Sequence, residues 1–526
     1  MRRIYKYLLL GAISFSTVAC EDLDTLNEDP NNPAEVPSNM LMNGAQKWIM
    51  DNVYDNWFSG RQCLLYAQYW AQRNYTEEDR YQIRASTNNS YFNYLYMGIA
   101  NMEKIVEMNT IPETAASNSI YGSNNNQIAA AKILKVWLMD VITDTWGNVP
   151  YSDIAQLESN NVLYCRYDSQ QEIYADMLEE LTEAVNMIDE SELAFTSGDN
   201  IYNGDASKWK KFGNSLKCRL AIHLSKVDSN WRDYIAEAIA SGVFTDNSDA
   251  ATYQYSSSGS EYSQFYDGFF VSRRNDFTIT KPFVDLLQGL RDNLNGKSHP
   301  WEGVVDPRLP MYTTSSNGSY RGIPYGIPNA NTAGLRVGTP NWYSNPPAIL
   351  DADFAVPLLT FAELKFILSE YNNYSATDYR EGVEASINYW ASQTGTSISS
   401  ADIVSYVDAV SRRVDAETVA VQKYIDLFMN GTEAWTEIRR TGYPEQILRP
   451  GEISAQLEDG TQITFESLSE VRDDIIARVP YPTNESSLNG DNWQEAVSNL
   501  TDGTNNYYSK MYWDVRTSSY AHPENR

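Results

Sequence analysis

Several residue types that carry chemistry are scarce in this sequence of 526 residues. It has three histidines, and no two of them lie at the spacing of a zinc-binding motif. It has no GxxxxGK(S/T) and no GxGxxG string, so a phosphate-binding loop has no support. Basic residues are also in the minority, because 40 Lys and Arg against 69 Asp and Glu give a net charge of −29. We therefore expect no metal, no cofactor and no nucleic-acid partner.

Long apolar runs are rare as well. An apolar run near the amino terminus extends from Leu8 to Ala19, behind Arg2, Arg3 and Lys6. About a dozen residues are too few to cross a hydrocarbon core of ~30 Å as a helix. This pattern of a charged start and a short apolar run predicts a signal peptide over residues 1–19.

The residues around Cys20 indicate how the mature chain is attached. Thr17-Val18-Ala19-Cys20 resembles the bacterial lipobox, in which the cysteine becomes the lipidated amino terminus, so Cys20 is the predicted lipidation site. A plain secretory peptide cut near Ala19 is the alternative. Removing residues 1–19 takes away three cations and no acid, which leaves −32. The acyl chains are then the expected membrane attachment.

The segment behind Cys20 is acidic and then rich in proline. Glu21, Asp22 and Asp24 look like the surface-export signal of Bacteroidetes lipoproteins, which predicts an outer-membrane protein facing the cell exterior. Residues 20–40 otherwise read as an extended tether. Three further cysteines, Cys63, Cys165 and Cys218, allow at most one disulfide, and we expect free thiols.

From residue 41 the apolar pattern becomes helical. In one segment Ile173, Met177, Leu181, Val185 and Ile188 recur at helical spacing. Similar patterns predict helices near 41–58, 61–73, 88–108, 126–144, 207–226, 230–241, 357–371, 380–391 and 416–429. Several connections are short enough for helical hairpins. The predicted fold is mostly α, a tetratricopeptide-like body of helical hairpins with long irregular loops, forming a single domain over 41–526.

A loop-rich segment, residues 251–350, interrupts this body. Within it, 26 of the 53 residues from 295 to 347 are Gly, Pro, Ser or Asn, a density that excludes a long helix. Long ordered loops are frequently functional. This segment carries tryptophan and tyrosine side chains, whose rings combine an apolar face with a polar edge.

Six strings occur in a characteristic order. They are LNEDPNNP (26–33), WGNVPYSD (146–153), WKKFGNSLKCRL (209–220), FAELKF (361–366), EAWTEIRRTGYP (433–444) and RVPYP (478–482). We expect most of these residues to have structural roles. Gly147-Asn148 suits a tight turn after a helix ending near Trp146, and Arg439 and Arg440 suit the end of a helix and pairing with buried carboxylates.

Behind a lipoprotein signal, this set of strings resembles the SusD/RagB family, specifically its SusD-like branch of outer-membrane nutrient-binding lipoproteins. The resemblance runs from Cys20 to about Asn489. It implies a helical body that acts as the lid of a SusC-like TonB-dependent barrel and captures oligosaccharides at the cell surface. A peptide-binding lid of the RagB kind is an alternative, and a surface glycoside hydrolase with paired carboxylates is another. Enzyme activity is not expected.

Candidate ligand contacts come from the chemistry of sugars, which need an aromatic platform beside planar polar groups. Two stretches supply both, one at the predicted end of a helix and one in the loop-rich segment. The predicted ligand-binding residues are Trp70, Arg73, Asn74, Tyr75, Asp79, Trp301, Tyr320, Arg321, Tyr325, Trp342 and Tyr343. Contact with the barrel partner or plain loop packing is the alternative for each.

Overall fold

A computed structural model describes residues 36–154, 164–274, 276–329, 331 and 346–516. The signal peptide, Cys20, Trp342 and Tyr343 lie outside these residues. Within the described ranges, none of the helices combines the length with the apolar composition that crossing a bilayer requires.

Twelve helices of nine or more residues can be numbered in chain order in the described part. They are α1 Ser38–Val53, α2 Ala85–Thr110, α3 Asn124–Trp146, α4 Gln170–Met187, α5 Ala206–His223, α6 Trp231–Ser241, α7 Phe361–Tyr371, α8 Ala376–Thr394, α9 Ser400–Val410, α10 Ala416–Asp426, α11 Gly431–Thr441 and α12 Gly490–Ser498. Shorter α-helical segments are Leu64–Tyr66, Pro112–Asn118, Gln264–Tyr266, Lys281–Leu287, Leu309–Tyr312 and Glu485–Leu488.

Short antiparallel strand pairs lie between and beside the helices. The strands are β1 Trp70–Gln72, β2 Val149–Pro150, β3 Tyr167–Asp168, β4 Ala251–Gln254, β5 Phe277–Ile279, β6 Ala355–Leu359, β7 Ile453–Gln456 and β8 Gln462–Thr464. They pair as β1 with β5, β2 with β3, β4 with β6 and β7 with β8. In the pair of β1 with β5, Trp70 faces Ile279 and Gln72 faces Phe277.

The helices stack as hairpins. Each of α1 to α5 packs on the next helix in the chain, and α7 packs on both α8 and α10. The two halves meet where α5 contacts α7 and where α3 contacts α11. This arrangement confirms the predicted mostly α, tetratricopeptide-like body of helical hairpins.

Local sequence explains individual helices. In α4, Ile173, Met177, Leu181 and Val185 are buried, as their spacing predicts. The helix begins with a capping box, in which the Ser169 side chain accepts from the Glu172 N–H and the Glu172 carboxylate accepts from the Ser169 N–H. The box satisfies amide groups that have no partner inside a first turn.

The predicted turn after α3 is confirmed. The helix ends at Trp146, and Gly147 has φ of +85°, a conformation that glycine adopts without a Cβ clash. The Asn148 side chain then accepts a hydrogen bond from the Gln170 N–H and so fixes the start of α4. Cys63, Cys165 and Cys218 carry free thiols, as expected.

The predicted helix over 61–73 is wrong. Only Leu64–Tyr66 is α-helical there, preceded by a wide helical turn at Ser59–Cys63 and followed by strand β1. The backbone breaks at Gln68, whose φ is +56° and whose side-chain amide binds the Leu448 backbone. Pairing of β1 with β5, some 200 residues away, outcompetes local helix formation.

The loop-rich segment behaves as its composition predicts. Between residues 295 and 347, the described part holds the short helix Leu309–Tyr312, helical residues at Asn329 and Asn331, and mostly irregular backbone elsewhere. Many of its rings are nevertheless buried against the helices.

Candidate functional site

An exposed tryptophan follows the first helix. The Asp55 carboxylate accepts hydrogen bonds from the N–H groups of Phe58 at 2.7 Å and Ser59 at 2.9 Å, which closes a turn after α1. This turn buries Phe58, whose ring stacks on Tyr91 with centroids 3.7 Å apart, and directs Trp57 outward. The Trp57 side chain is 47% exposed.

Trp57 forms one wall of a cleft of about 250 Å³, hereafter the Trp57 cleft. Its lining residues are Asn52, Asp55, Trp57, Phe58, Ser86, Thr87, Ser90, Tyr91 and Tyr94. The first turns of α2 supply the three hydroxyl side chains. Tyr94 is 40% exposed at the other end, where Trp48 packs edge-on against it and donates a hydrogen bond to its carbonyl.

The electrostatics of the Trp57 cleft depend on one carboxyl group in its lining. Loss of water around the Asp55 side chain raises its pKa to about 6, against the opposing effect of the backbone N–H groups and of Arg61. Asp55 is therefore mostly ionised at neutral pH and becomes protonated in mildly acidic solution.

Two arginines lie over the Trp57 ring. The guanidinium of Arg61 lies 5.0 Å from the Trp57 ring centroid and that of Arg274 lies 5.6 Å from it. Both bind the Asp276 carboxylate, each with a contact of 2.9 Å. Arg84, immediately before α2, contacts Glu78 at 2.7 Å. Glu78 and Asp276 join Arg61, Arg84 and Arg274, which we call the arginine rim.

The loop after β1 joins the same face. The Arg73 N–H donates to the Asp276 carbonyl, which places the residues that follow beside the arginine rim. Tyr75 has φ of +56° and is 52% exposed, while Arg73 and Asn74 are half-buried. Of the predicted ligand-binding residues, Arg73 is thus linked to the arginine rim through Asp276, and none of Arg73, Asn74 and Tyr75 lines the Trp57 cleft.

Asp79 is a buried residue that stabilises a loop. It is buried, and its carboxylate accepts from the Gln72 N–H at 3.1 Å, which closes the loop between β1 and Asp79. Burial raises the pKa of Asp79 well above its ordinary value. The prediction of Asp79 as a solvent-facing ligand contact is wrong for this reason.

Three predicted platforms are buried rings. Trp70 packs against Phe265, Phe269 and Phe277. Trp301 is 8% exposed and its indole N–H donates to the Val410 carbonyl at 2.9 Å. Tyr325 packs edge-on against Phe465. Stacking on a sugar requires an exposed ring face, so these three serve the core and their prediction as platforms is wrong.

The remaining predicted ligand contacts are Tyr320, Arg321, Trp342 and Tyr343. Tyr320 is half-buried and Arg321 is exposed, and they precede Ile323, whose N–H binds the Ile279 carbonyl. That carbonyl belongs to the end of β5 opposite to Arg73. Tyr320 and Arg321 therefore lie apart from the Trp57 cleft, along the same strand pair. Trp342 and Tyr343 lie outside the described residues.

Sequence reasoning missed Trp57, Arg61, Arg84 and Arg274. Trp57 falls inside the predicted helix 41–58, although Asp55-Asn56 ahead of it is a common turn signal. The arginines come from three separate chain segments, so only the folded chain brings them together.

A second charged cluster lies inside the helical body. His223 on α5 contacts Glu433 on α11 through Nε2 at 3.2 Å and faces Asp140 and Asp144 on α3 through Nδ1 at 3.8 and 3.7 Å. Burial lowers the pKa of His223, but these carboxylates outweigh burial and raise it to about 9. The imidazole is therefore a cation at neutral pH.

These donors match metal ligands in type, since His223 shares a site with Asp140 and Asp144 and another with Glu433 and Glu437. Protein cations already compensate the carboxylates. Lys423 contacts Glu433 at 3.1 Å, and Arg219 binds Glu363 at 2.7 Å. Arg440 binds Glu370 at 2.7 Å and Glu437 at 2.8 Å, as predicted for a carboxylate partner. The cluster is therefore a set of buried side chains whose charges compensate one another and which join several helices.

Together these features define a class of protein, a stacked-hairpin helical body with an open aromatic cleft where α2 meets the turn after α1. The sequence matches the family model SusD-like_2, described as starch-binding and associating with the outer membrane, over residues 30–464. The chain belongs to this SusD-like family, which confirms the resemblance.

Solved structures share the fold. A chitin-binding protein is 24% identical with a TM-score of 0.69, covering 90% of this chain and 100% of its own. A chitin-binding SusD homologue from Flavobacterium johnsoniae is 21% identical with a TM-score of 0.70, covering 91% and 99%. A SusD homologue from Parabacteroides distasonis is 22% identical with a TM-score of 0.70, covering 91% and 98%. No curated protein sequence matches this chain.

Proposed function

We propose that this protein is a lipid-anchored receptor on the outer face of the outer membrane that binds an oligosaccharide in the Trp57 cleft. In this proposal it acts as the lid of a SusC-like TonB-dependent barrel and delivers the sugar to it. The observation that carries the binding site is the exposed Trp57 ring beside hydroxyl and guanidinium groups. Membership of the SusD-like family supports the setting at the outer membrane.

The geometry suits a sugar ring. One face of a pyranose presents C–H groups that pack on a flat aromatic surface, and Trp57 offers such a surface. The hydroxyls on the rim of the sugar need donors and acceptors, which Ser86, Thr87 and Ser90 supply from α2. An open cleft also releases its ligand faster than an enclosed one, as transfer to a barrel requires.

Binding without cleavage is the better assignment. Glycoside hydrolysis generally uses a pair of carboxyl groups at the scissile bond. Among the residues lining the Trp57 cleft, Asp55 alone has a carboxyl group, and its Oδ1 atom is held by two backbone N–H groups. The carboxylates around His223 are buried inside the helical body, out of reach of a polysaccharide.

The test of binding compares two variants by calorimetry and affinity electrophoresis with chito-oligosaccharides, because structural neighbours are described as chitin-binding. Trp57→Ala should weaken retention about tenfold, the equivalent of ~1.4 kcal/mol for a stacked ring, and Trp57→Phe should weaken it less. Ile120→Ala is the control, because Ile120 is 69% exposed and follows α2, whose part beyond Tyr94 extends about 24 Å from the cleft.

Three outcomes would contradict the binding proposal. Equal losses in Trp57→Ala and Ile120→Ala would place the site elsewhere. Retention of peptides with no retention of any glycan would favour the RagB-like alternative. New reducing ends on incubation with the purified protein would favour the hydrolase.

The lid role needs a separate experiment. Affinity purification of the full-length protein from detergent-solubilised outer membranes should recover a large TonB-dependent barrel in stoichiometric amount. Purification of the protein without such a partner would remove the transport role and leave the binding role to be judged by the glycan assays.

A further inference from the structure

A second cavity shares no lining residue with the Trp57 cleft. It measures about 320 Å³, within the range of roughly 300–1,000 Å³ that is typical of small-ligand sites. Its walls are the loop before α5, the helical turn Asn247–Asp249, strand β4 and the last turns of α8. We call it the polar pocket, because it is lined by three aliphatic hydroxyl groups and by the side-chain amides of Asn203, Asn247, Asn388 and Gln393.

Helix α8 supplies one wall of the polar pocket as a stripe. Asn388 and Ser392 are four residues apart and therefore share one face of the helix. Tyr389 and Gln393 form the adjacent row with the same spacing. Trp390, the next residue after Tyr389, is fully buried in the core. The register of α8 thus keeps its polar stripe on the pocket side and its large apolar ring in the interior.

The walls of the polar pocket are joined to one another by hydrogen bonds. The Tyr202 hydroxyl donates to the Asp249 carbonyl at 2.8 Å, which ties the loop before α5 to the helical turn. The Asn247 amide donates to the Ala385 carbonyl at 2.9 Å, which ties that turn to α8. The Lys208 ammonium donates to a carbonyl of the same turn at 2.8 Å. A pocket whose walls are already connected loses little conformational freedom when a ligand binds.

The lining has hydrogen-bonding groups to spare. Within the described part of the chain, no hydrogen bond engages the side-chain amides of Asn203, Asn388 and Gln393. Two further atoms of lining residues, Asn247 Oδ1 and the Tyr389 hydroxyl oxygen, are buried without a hydrogen-bond partner among the described residues. A side-chain amide offers two donors and an acceptor. The polar pocket therefore holds more donors and acceptors than the chain itself satisfies.

The charge of the lining differs from that of the chain. None of the described lining residues is acidic, although the chain has 69 acids and 40 bases. Nearby acids are engaged elsewhere, since Asp199 accepts from the Trp209 indole at 2.8 Å and Asp249 binds Lys211 at 2.9 Å. Lys208 alone among the described lining residues is charged, and its ammonium has a carbonyl partner. The lining thus disfavours a cationic ligand and offers an acidic one a single lysine.

From these observations we propose that the polar pocket is a second saccharide-binding site, which takes a neutral sugar through hydrogen bonds between amides and hydroxyls. An apolar ligand would leave the amides unpaired, whereas adjacent sugar hydroxyls supply both donors and acceptors. An extended peptide is commonly recognised through backbone groups of a sheet edge, but the polar groups of this lining are side chains. The site goes beyond the proposed function, because it does not involve the Trp57 cleft.

The test removes two amides from the wall that α8 supplies. Asn388→Ala with Gln393→Ala should preserve the fold, because alanine has the highest helix propensity. Cellohexaose, mannohexaose and chitohexaose are titrated into purified Trp57→Ala protein, which should still bind at least one of them. Adding the two α8 substitutions should weaken that binding about tenfold, the loss expected for two ordinary hydrogen bonds.

A matched control removes the same two residue types from another helix. Gln171 and Asn186 are exposed on α4 and do not line the polar pocket. Gln171→Ala with Asn186→Ala in the Trp57→Ala protein should leave the affinity for each hexasaccharide unchanged. Tetragalacturonic acid is the charged arm of the titration, and it should bind more weakly than the neutral hexasaccharide that binds best.

The outcomes separate the polar pocket from the Trp57 cleft. Binding that depends on Trp57 but is unaffected by the α8 substitutions would overturn the second site and leave the proposed function intact. Equal losses in the α8 variant and the α4 control would overturn it as well. Loss of tetragalacturonic acid binding alone in the α8 variant would overturn the neutral class of ligand. Binding that depends on α8 but not on Trp57 would support the polar pocket and overturn the assignment of the Trp57 cleft.

Discussion

Trp57 and Trp301 both lie in loops but differ in exposure. Trp57 is 47% exposed beside arginines, whereas Trp301 is 8% exposed and donates to the Val410 carbonyl. Trp301→Ala should lower the free energy of unfolding by about 3 kcal/mol, because it leaves a cavity and an unpaired carbonyl. Trp57→Ala should lower it by less than about 1 kcal/mol. Denaturant unfolding of both variants checks this, and equal losses would contradict the assignment of Trp301 to the core.

The same two tryptophans show that the sequence predicts loops but does not predict whether a ring in a loop is exposed. Tyrosine and tryptophan in a segment rich in Gly, Pro and Asn indicate loops, and the loops are there. Whether a loop ring faces solvent depends on what packs over it, and for Trp301 that is α9, about 100 residues further along the chain. Arg73, Asn74 and Tyr75 were chosen at the end of a predicted helix, but strand β1 precedes them in the structure and only Tyr75 is exposed.

At the scale of secondary structure, two glycines test how tightly the helices pack. Gly98 lies where α2 crosses α1 and α3, and a Cβ added there would come within 2.8 Å of Ile49 and of Leu138. Gly98→Ala should therefore cost about 1–3 kcal/mol through overpacking. Gly44 on α1 is exposed with no atom within 4 Å of an added Cβ, so Gly44→Ala should stabilise by about 0.5–1 kcal/mol. Thermal unfolding compares them, and stabilisation by both substitutions would contradict the close approach of α1, α2 and α3.

The helices were the most predictable part of the fold. Their apolar spacing is local, so α1 to α8 and α10 follow from the sequence with errors mainly at their ends. The helix predicted over 61–73 fails because β1 depends on β5, whose sequence gives no local sign of the pairing. The arginine rim depends on that same pairing, since Asp276 precedes β5 and Arg73 follows β1.

The charged cluster around His223 makes stability depend on pH. Its pKa is raised in the folded state to about 9 from an ordinary 6.5, so its contribution is complete below pH 6.5 and is lost as pH rises through about 9. Burial, with repulsion from Asp144 as the next cause, raises the pKa of Asp140 to about 8, which acts in the same direction. The difference for His223 corresponds to a contribution on the order of 3 kcal/mol.

The variant His223→Gln tests this dependence of stability on pH. The free energy of unfolding should fall by a few kcal/mol relative to the parent below pH 6.5, and the gap should narrow above pH 9. Lys423 and Arg219 stay in place as the remaining partners of Glu433 and Glu363. A gap that stays constant over this pH range would show that the imidazole is neutral in the folded protein.

On the scale of the whole molecule, charge is divided unevenly. The chain as a whole is acidic, and the arginines beside Trp57, Arg61 and Arg274, share the carboxylate of Asp276. Screening confines each exposed charge to a range of about 10 Å at ordinary salt concentrations, so ion pairs of this kind act locally within an acidic surface.

The proposed membrane attachment depends on Cys20, the predicted lipidation site. Cys20 precedes Ser38, where the first helix of the described body begins, and we expect Cys20→Ser to leave the stability of that body unchanged. Cys20→Ser removes the thiol that would carry the acyl chains, and a single chain or none gives marginal membrane affinity. The variant should leave the detergent phase on phase separation, lose labelling by a fatty acid analogue, and keep its melting temperature and glycan binding. Cys165→Ser is the control, because Cys165 is half-buried within the folded body and should leave anchoring unchanged. Membrane attachment that persists in Cys20→Ser would mean that the lipobox assignment is wrong and that some other part of the chain holds the protein at the membrane.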